Sequence, residues 1–263
     1  MQILFRTLLA IFLGHLLADF VFQTQHLVDK KRAGKWSGYF LHGLIHFFSA
    51  LVLVGFFLKS SALSARTYIV LLLLSAIHLL IDFAKMRLTA SSRLRDGSLA
   101  YVADQLAHFL TVVFAAWILA PGVPFGQLFA PISSIRAAET KWLAVPIVYV
   151  AVMFGGGYLI RYLTRNLSEG LKNHHPEKST EQLQNAGLYI GWLERFLVVT
   201  ALLLQSPATV GLILTAKSIA RYPEFKSERF AEYFLIGTLL SISIAILGGA
   251  ILAKLLLGLV KFS

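Results

Sequence analysis

Apolar residues run along this chain in blocks rather than in stripes. Segments such as Leu51–Leu58, Ile69–Ile81 and Phe234–Leu247 are almost unbroken and are too apolar to face water. The breaks between blocks predict eight spans, at about 4–26, 38–58, 67–85, 99–120, 142–161, 186–204, 207–221 and 230–257, each near the ~20 residues that a bilayer crossing needs. The predicted fold class is all-α, a polytopic transmembrane helix bundle. Spans six and seven are short and separated only by Gln205, Ser206 and Pro207. A single re-entrant hairpin fits them equally well, and Pro207 suits the first turn of a new helix.

Composition agrees. Of 263 residues 57% are hydrophobic and 14% charged, against about 45–50% and 25% in soluble domains. The first apolar block contains His15 and Asp19 and leads into a basic loop, so it reads as a mature span rather than a cleaved signal. With no Cys, any metal must be held by His, carboxylate or water. The net charge of +11 is scattered among connections, which argues for membrane orientation rather than nucleic-acid binding.

The basic residues alternate across the eight spans. Connections on one side hold Lys30, Lys31, Arg32, Lys35; Lys85, Arg87, Arg93, Arg95; Arg161, Arg165, Lys172, Lys178; and Lys217, Arg221, Lys226, Arg229. The other side holds Arg6, Lys59, Arg66, Arg136, Lys141, Lys254 and Lys261. Sixteen plus seven, with Arg195 inside a span, account for all 24. The bias places the sixteen in the cytoplasm and both termini outside. The expected organisation is a four-span part over 1–120, a non-cytoplasmic loop over 121–141, and C-terminal helices over 142–263 with a cytoplasmic loop at 165–185. His174 and His175 in that loop lack a distinctive ligand spacing.

Candidate chemistry lies in the first four spans. His15 stands four residues before Asp19, and His78 four before Asp82, which stacks each pair on one helix face. His42 precedes His46, and Asp104 precedes His108, at the same spacing. The offsets are 63 for the first two motifs (15 to 78, 19 to 82) and 62 for the others (42 to 104, 46 to 108), so the four spans read as a duplicated helical hairpin. The alternating direction of the spans brings all four pairs into the inner half of the bilayer. Asp19, His42, Asp82 and Asp104 should form a layer near the cytosol, with His15, His46, His78 and His108 one turn deeper. Ionisable groups in a span cost about 2.5–3.5 kcal/mol each on insertion scales, so eight at matched depth point to function. The expectation is a divalent metal site, Zn²⁺ foremost, with one or two ions. A bound water activated by the metal would be the nucleophile, with Asp104 or His42 as ligand or general base. Gln23 and Gln105 would orient the ligands from behind.

HLLADFVFQ, HGLIH, HLLIDFAK and DQLAH resemble the motif series of an uncharacterised bacterial multi-spanning membrane family, a domain of unknown function, over roughly the first 110 residues. More distantly, His42, His46, His78 and Asp82 are similar to the paired motifs of bacterial membrane-bound metal-dependent hydrolases. That similarity implies metal-assisted hydrolysis. In the C-terminal half, Glu194, Arg195, Lys217, Arg221 and Glu232 are the polar groups in or near spans. They read either as charge pairs closing the bundle or as a site for an anionic head group, with Arg195 foremost. Together these readings predict a hydrolase acting at the cytoplasmic leaflet on a lipid or lipid-linked, phosphorylated substrate. The alternative is a metal-ion or proton transporter using the same His/Asp cluster.

Overall fold

The computed structural model describes residues 2–58, 63–124, 138–165, 167–168 and 181–257. Every regular element in them is helical. The N-terminal helix α1 (Gln2–Leu16) runs on through a π-helical segment, Leu17–Val21. A short α2 (Gln25–Arg32) leads to α3 (Trp36–Leu58), α4 (Ala65–Ala90) and α5 (Ser98–Ile118). Beyond the loop, α6 (Ala138–Val150) passes through a second π segment, Ala151–Gly155, into α7 (Gly156–Leu163). Then come α8 (Glu181–Leu203), α9 (Ala208–Ala220) and α10 (Glu228–Leu257).

Six of these stretches are long and apolar enough to cross a membrane: Gln2–Val21, Trp36–Leu58, Ala65–Ala90, Ser98–Ile118, Thr140–Leu163 and Glu228–Leu257. The expected sixth and seventh spans correspond to α8 and α9. Helix α8 opens on the polar residues Glu181, Gln182, Gln184 and Asn185. The 13 residues of α9 reach about 20 Å, short of a ~30 Å hydrocarbon core. Most of both expected loops, 121–141 and 165–185, including His174 and His175, lies outside the described residues.

The chain forms two compact units, Met1–Ile147 and Val148–Ser263. In the first, α1 packs on α3 and α5, and α4 packs on α3 and α5, closing a ring of four helices. Its polarity is inverted relative to a water-soluble bundle. Phe40, Phe48, Val52, Phe56, Leu72 and Leu110 are exposed, while His15, His42, His46, His78 and His108 are buried. That distribution suits helices whose outer faces meet lipid. Gly14 sets the approach of α1 to α3, since a Cβ there would stand 3.0 Å from the Ala50 backbone. The adjoining His15 and His46 are thereby brought to 5.5 Å between ring centroids.

The first span was expected to continue to residue 26 and to give way to a basic loop. It ends instead at Val21, and the basic segment is the helix α2. Gly34, at φ +69°, takes the left-handed conformation that ends a helix readily. Its N–H reaches the Lys31 carbonyl and the Lys35 N–H reaches that of Lys30. The reversal folds α2 onto the start of α3 and turns Lys31 inward.

Candidate metal centre

Asp19 lies in the middle of the first π segment, where the Phe22 N–H bonds to Leu17 O, five residues back. The extra residue in such a turn re-aims the side chains around it. Asp19 Oδ1 stands 2.9 Å from His46 Nε2, 3.2 Å from His42 Nε2 and 3.4 Å from His78 Nε2. Its Oδ2 stands 3.6 Å from His15 Nε2. Four imidazoles from three helices therefore present the same ring nitrogen to one carboxylate.

Asp82 and Asp104 flank the remaining imidazole. His108 Nε2 is 3.5 Å from Asp82 Oδ1 and 3.6 Å from Asp104 Oδ1. Asp82 Oδ2 faces the first group, at 3.5 Å from His42 Nε2 and 3.9 Å from His78 Nε2. All eight expected ligands thus belong to one contiguous network. Its two layers interpenetrate, because Asp19 reaches His42 in its own layer and His46 and His78 in the deeper one.

Hydrogen bonding among these groups leaves much unaccounted for. A neutral imidazole carries one N–H, yet His42 Nε2 and His78 Nε2 face each other at 3.1 Å while both also approach Asp19 Oδ1. His15 Nε2, His42 Nδ1, Asp104 Oδ1 and both ring nitrogens of His108 are buried without a hydrogen-bond partner. Buried polar atoms rarely stay unpaired, and unpartnered imidazole and carboxylate atoms this close together suit a cation. The donor atoms of His15, Asp19, His46 and His78 lie within 4.8 Å of one another, as do those of His42, His78 and Asp82, and those of Asp82, Asp104 and His108. Ligand atoms ~2.0–2.1 Å from a tetrahedral Zn²⁺ would be about 3.3 Å apart, so small side-chain movements suffice. The clusters could hold a metal ion.

Two lysines that the sequence pattern does not single out complete the network. Lys31 is buried, its Nζ donating to Asp82 Oδ2 at 2.7 Å and to Gln23 Oε1 at 2.9 Å. Gln23 therefore holds Lys31 rather than Asp19. Lys85 Nζ donates to Asp104 Oδ2 at 3.0 Å, and Gln105 Nε2 to the same oxygen at 3.4 Å. Nothing local distinguishes Lys31 from Lys30, Arg32 and Lys35. The only available signal was the need of three carboxylates inside spans for positive charge.

Within the second unit, Arg195 is buried and its donors are engaged. Nε and Nη2 donate to Met153 O at 3.2 and 2.7 Å, and Nη1 donates to Ser241 Oγ at 3.1 Å. Lys217 pairs with Glu194 at 2.6 Å. Arg221 pairs with Glu224 at 2.8 Å, and Glu232 is exposed. The cavity beside Glu194, Arg195 and Lys217 measures about 10 Å³, room for roughly one water.

Residues 7–130 match a family described as "Protein of unknown function (DUF3307)". That stretch contains the whole His/Asp network and both lysines. No curated protein and no solved structure matches the chain, and the expected similarity to membrane-bound hydrolases finds no support among the matches.

Proposed function

We propose that the first unit is the catalytic part of an integral membrane, metal-dependent hydrolase whose substrate is a lipid or lipid-linked phosphorylated compound at the cytoplasmic leaflet. In this reading α8 and α9 also enter the membrane, giving eight spans with both termini outside, and the α1/α3 and α4/α5 pairs are a duplicated hairpin. The observation that carries the proposal is the enclosure of Asp19 by four imidazole Nε2 atoms at 2.9–3.6 Å within a ring of apolar helices.

His15, Asp19, His46 and His78 hold the ion, with Asp82 and His108 beside them. Zn²⁺ suits this nitrogen-rich set. Bound there, it supplies a water ionisable near neutral pH, so no Ser or Cys nucleophile is needed. His42 or Asp104 accepts the proton, and Gln105 steadies Asp104. Lys31 and Lys85 make the neighbourhood favourable for an anionic substrate. Arg195 is a weaker candidate for that role, because three of its N–H groups already bond to Met153 O and Ser241 Oγ.

An enclosed site is preferred to a transport pathway because of what lines the other side of the imidazoles. Ile11, Ala50, Leu74 and Val112 meet them there. The hydroxyls of Ser75 and Thr111 donate to Leu71 O and His108 O in their own helices. A conduction route would continue through polar groups. The test begins with metal content of the full-length protein purified in detergent. At least one tightly bound divalent ion per chain is expected, falling in His78→Ala. Hydrolysis of phosphorylated lipids should stop with a chelator and return with Zn²⁺. Less than one ion, or Zn²⁺ uptake into proteoliposomes that disappears in Asp82→Asn, would sink the proposal.

A further inference from the structure

Eight donor side chains are more than one ion uses. Zn²⁺ takes four ligands in structural sites and three plus water in catalytic ones. Here five imidazoles and three carboxylates converge, and the donor sets at the two ends of the network, His15/Asp19/His46/His78 and Asp82/Asp104/His108, share no member. The set between them, His42/His78/Asp82, borrows one residue from each. We propose that the centre takes two divalent ions, the second held by Asp82, Asp104 and His108, with Asp82 shared between the two. This rests on the metal-centre reading above and extends it.

The orientation of the carboxylates supports the second position. Lys31 takes Oδ2 of Asp82 and Lys85 takes Oδ2 of Asp104. Each Oδ1 is thereby left facing His108 Nε2, at 3.5 and 3.6 Å. Asp104 Oδ1 and His108 Nε2 are buried and have no hydrogen-bond partner. His108 is 1% exposed, so water does not satisfy it from outside. Two carboxylate oxygens and one imidazole nitrogen, turned towards each other by lysines behind them, form a three-ligand site with an open position. Asp82 is the one carboxylate that faces both sets, with Oδ1 towards His108 and Oδ2 towards His42 and His78. The lysines are positioning residues.

Two consequences follow for the chemistry. Asp104 becomes a ligand, which leaves His42 as the proton acceptor. With the imidazoles neutral, three carboxylates and two lysines sum to −1 (−3 + 2), and two divalent ions raise this to +3. A dianionic phosphate ester offsets that excess, and paired ions stabilise both the attacking and the leaving oxygen of phosphoryl transfer.

The experiment counts ions on full-length protein in detergent loaded with Zn²⁺ or Mn²⁺ and freed of loose metal. Two per chain are expected, and one in His108→Ala and in Asp104→Asn. Manganese-loaded protein should give an exchange-coupled electron paramagnetic resonance signal that is lost in Asp82→Asn. Should the variants fail to fold, the wild-type ion count and spectrum decide by themselves. One uncoupled ion in the wild type, or two ions retained in folded His108→Ala, overturns the two-ion centre and leaves the metal reading standing. No bound ion overturns both.

Discussion

Each unit of this protein contains a π-helical segment, and the two are put to different use. In the first, Leu17–Val21 carries a carboxylate to within 2.9–3.6 Å of four imidazole Nε2 atoms. In the second, Ala151–Gly155 carries the Met153 carbonyl, which accepts two hydrogen bonds from buried Arg195. Both are buried polar features in apolar bundles, yet the donors at Met153 are matched by acceptors. At Asp19 three ring nitrogens crowd one carboxylate oxygen at 2.9–3.4 Å, and in the same network His15 Nε2 and both ring nitrogens of His108 have no hydrogen-bond partner. Burial of polar groups alone does not mark a site. Several unpartnered buried atoms among potential ligands within 4.8 Å of one another do, because such atoms are costly unless something else satisfies them.

The comparison can be broken at several places, and the largest effect is expected at Asp19. Asp19→Asn should reduce retained metal to below about a tenth of wild type, since a ligand should matter at least as much as the outer partners, whose loss costs 10–100-fold. Elemental analysis beside a circular-dichroism check of folding reads it, and full metal retention would remove Asp19 from the centre.

Arg195→Leu should instead destabilise the protein by about 1–3 kcal/mol through the orphaned Met153 carbonyl and Ser241, leaving metal content unchanged. Thermal unfolding measures this. Loss of metal with unchanged stability would reverse the roles assigned to the two π segments.

Lys31→Met leaves Asp82 without its counter-charge, and breaking a buried pair costs about 3–5 kcal/mol. A bound cation replaces much of that charge. Melting temperature should therefore fall more in chelator-treated protein than in metal-loaded protein, and an equal fall in both would show that Lys31 does not communicate with the centre. Lys85→Ala should be milder, within about 1 kcal/mol, because Lys85 is one-quarter exposed and its pair is partly screened. Glu232→Gln, at an exposed position, should change neither stability nor metal content.

Much of the first unit was legible in the chain. The four-residue spacing of His15 with Asp19, of His42 with His46, of His78 with Asp82 and of Asp104 with His108 fixes which side chains share a helix face. Alternating span direction fixes which end they occupy. These are one-dimensional facts, because helix geometry converts spacing directly into position. The second unit was less legible. Arg195 stood out as a lone basic residue in a span, but its partner is a backbone carbonyl, which no side-chain pattern announces. Eight spans were expected, and six of the described helical stretches are long and apolar enough to cross a membrane; α8 and α9, the expected sixth and seventh, are not among them.

What only the tertiary structure decided is how the ligands divide. Sequence placed Asp19 and Asp82 as equivalent members of a repeat, yet a π turn makes one the hub of four imidazoles, while a lysine from α2 turns the other towards His108. Lys31 looked like one of several orientation charges. A glycine turn and the packing of α2 on α3 bury it. Register along a helix is set locally by covalent geometry, whereas which oxygen of a carboxylate faces which neighbour is set by contacts between residues as far apart as 31 and 82.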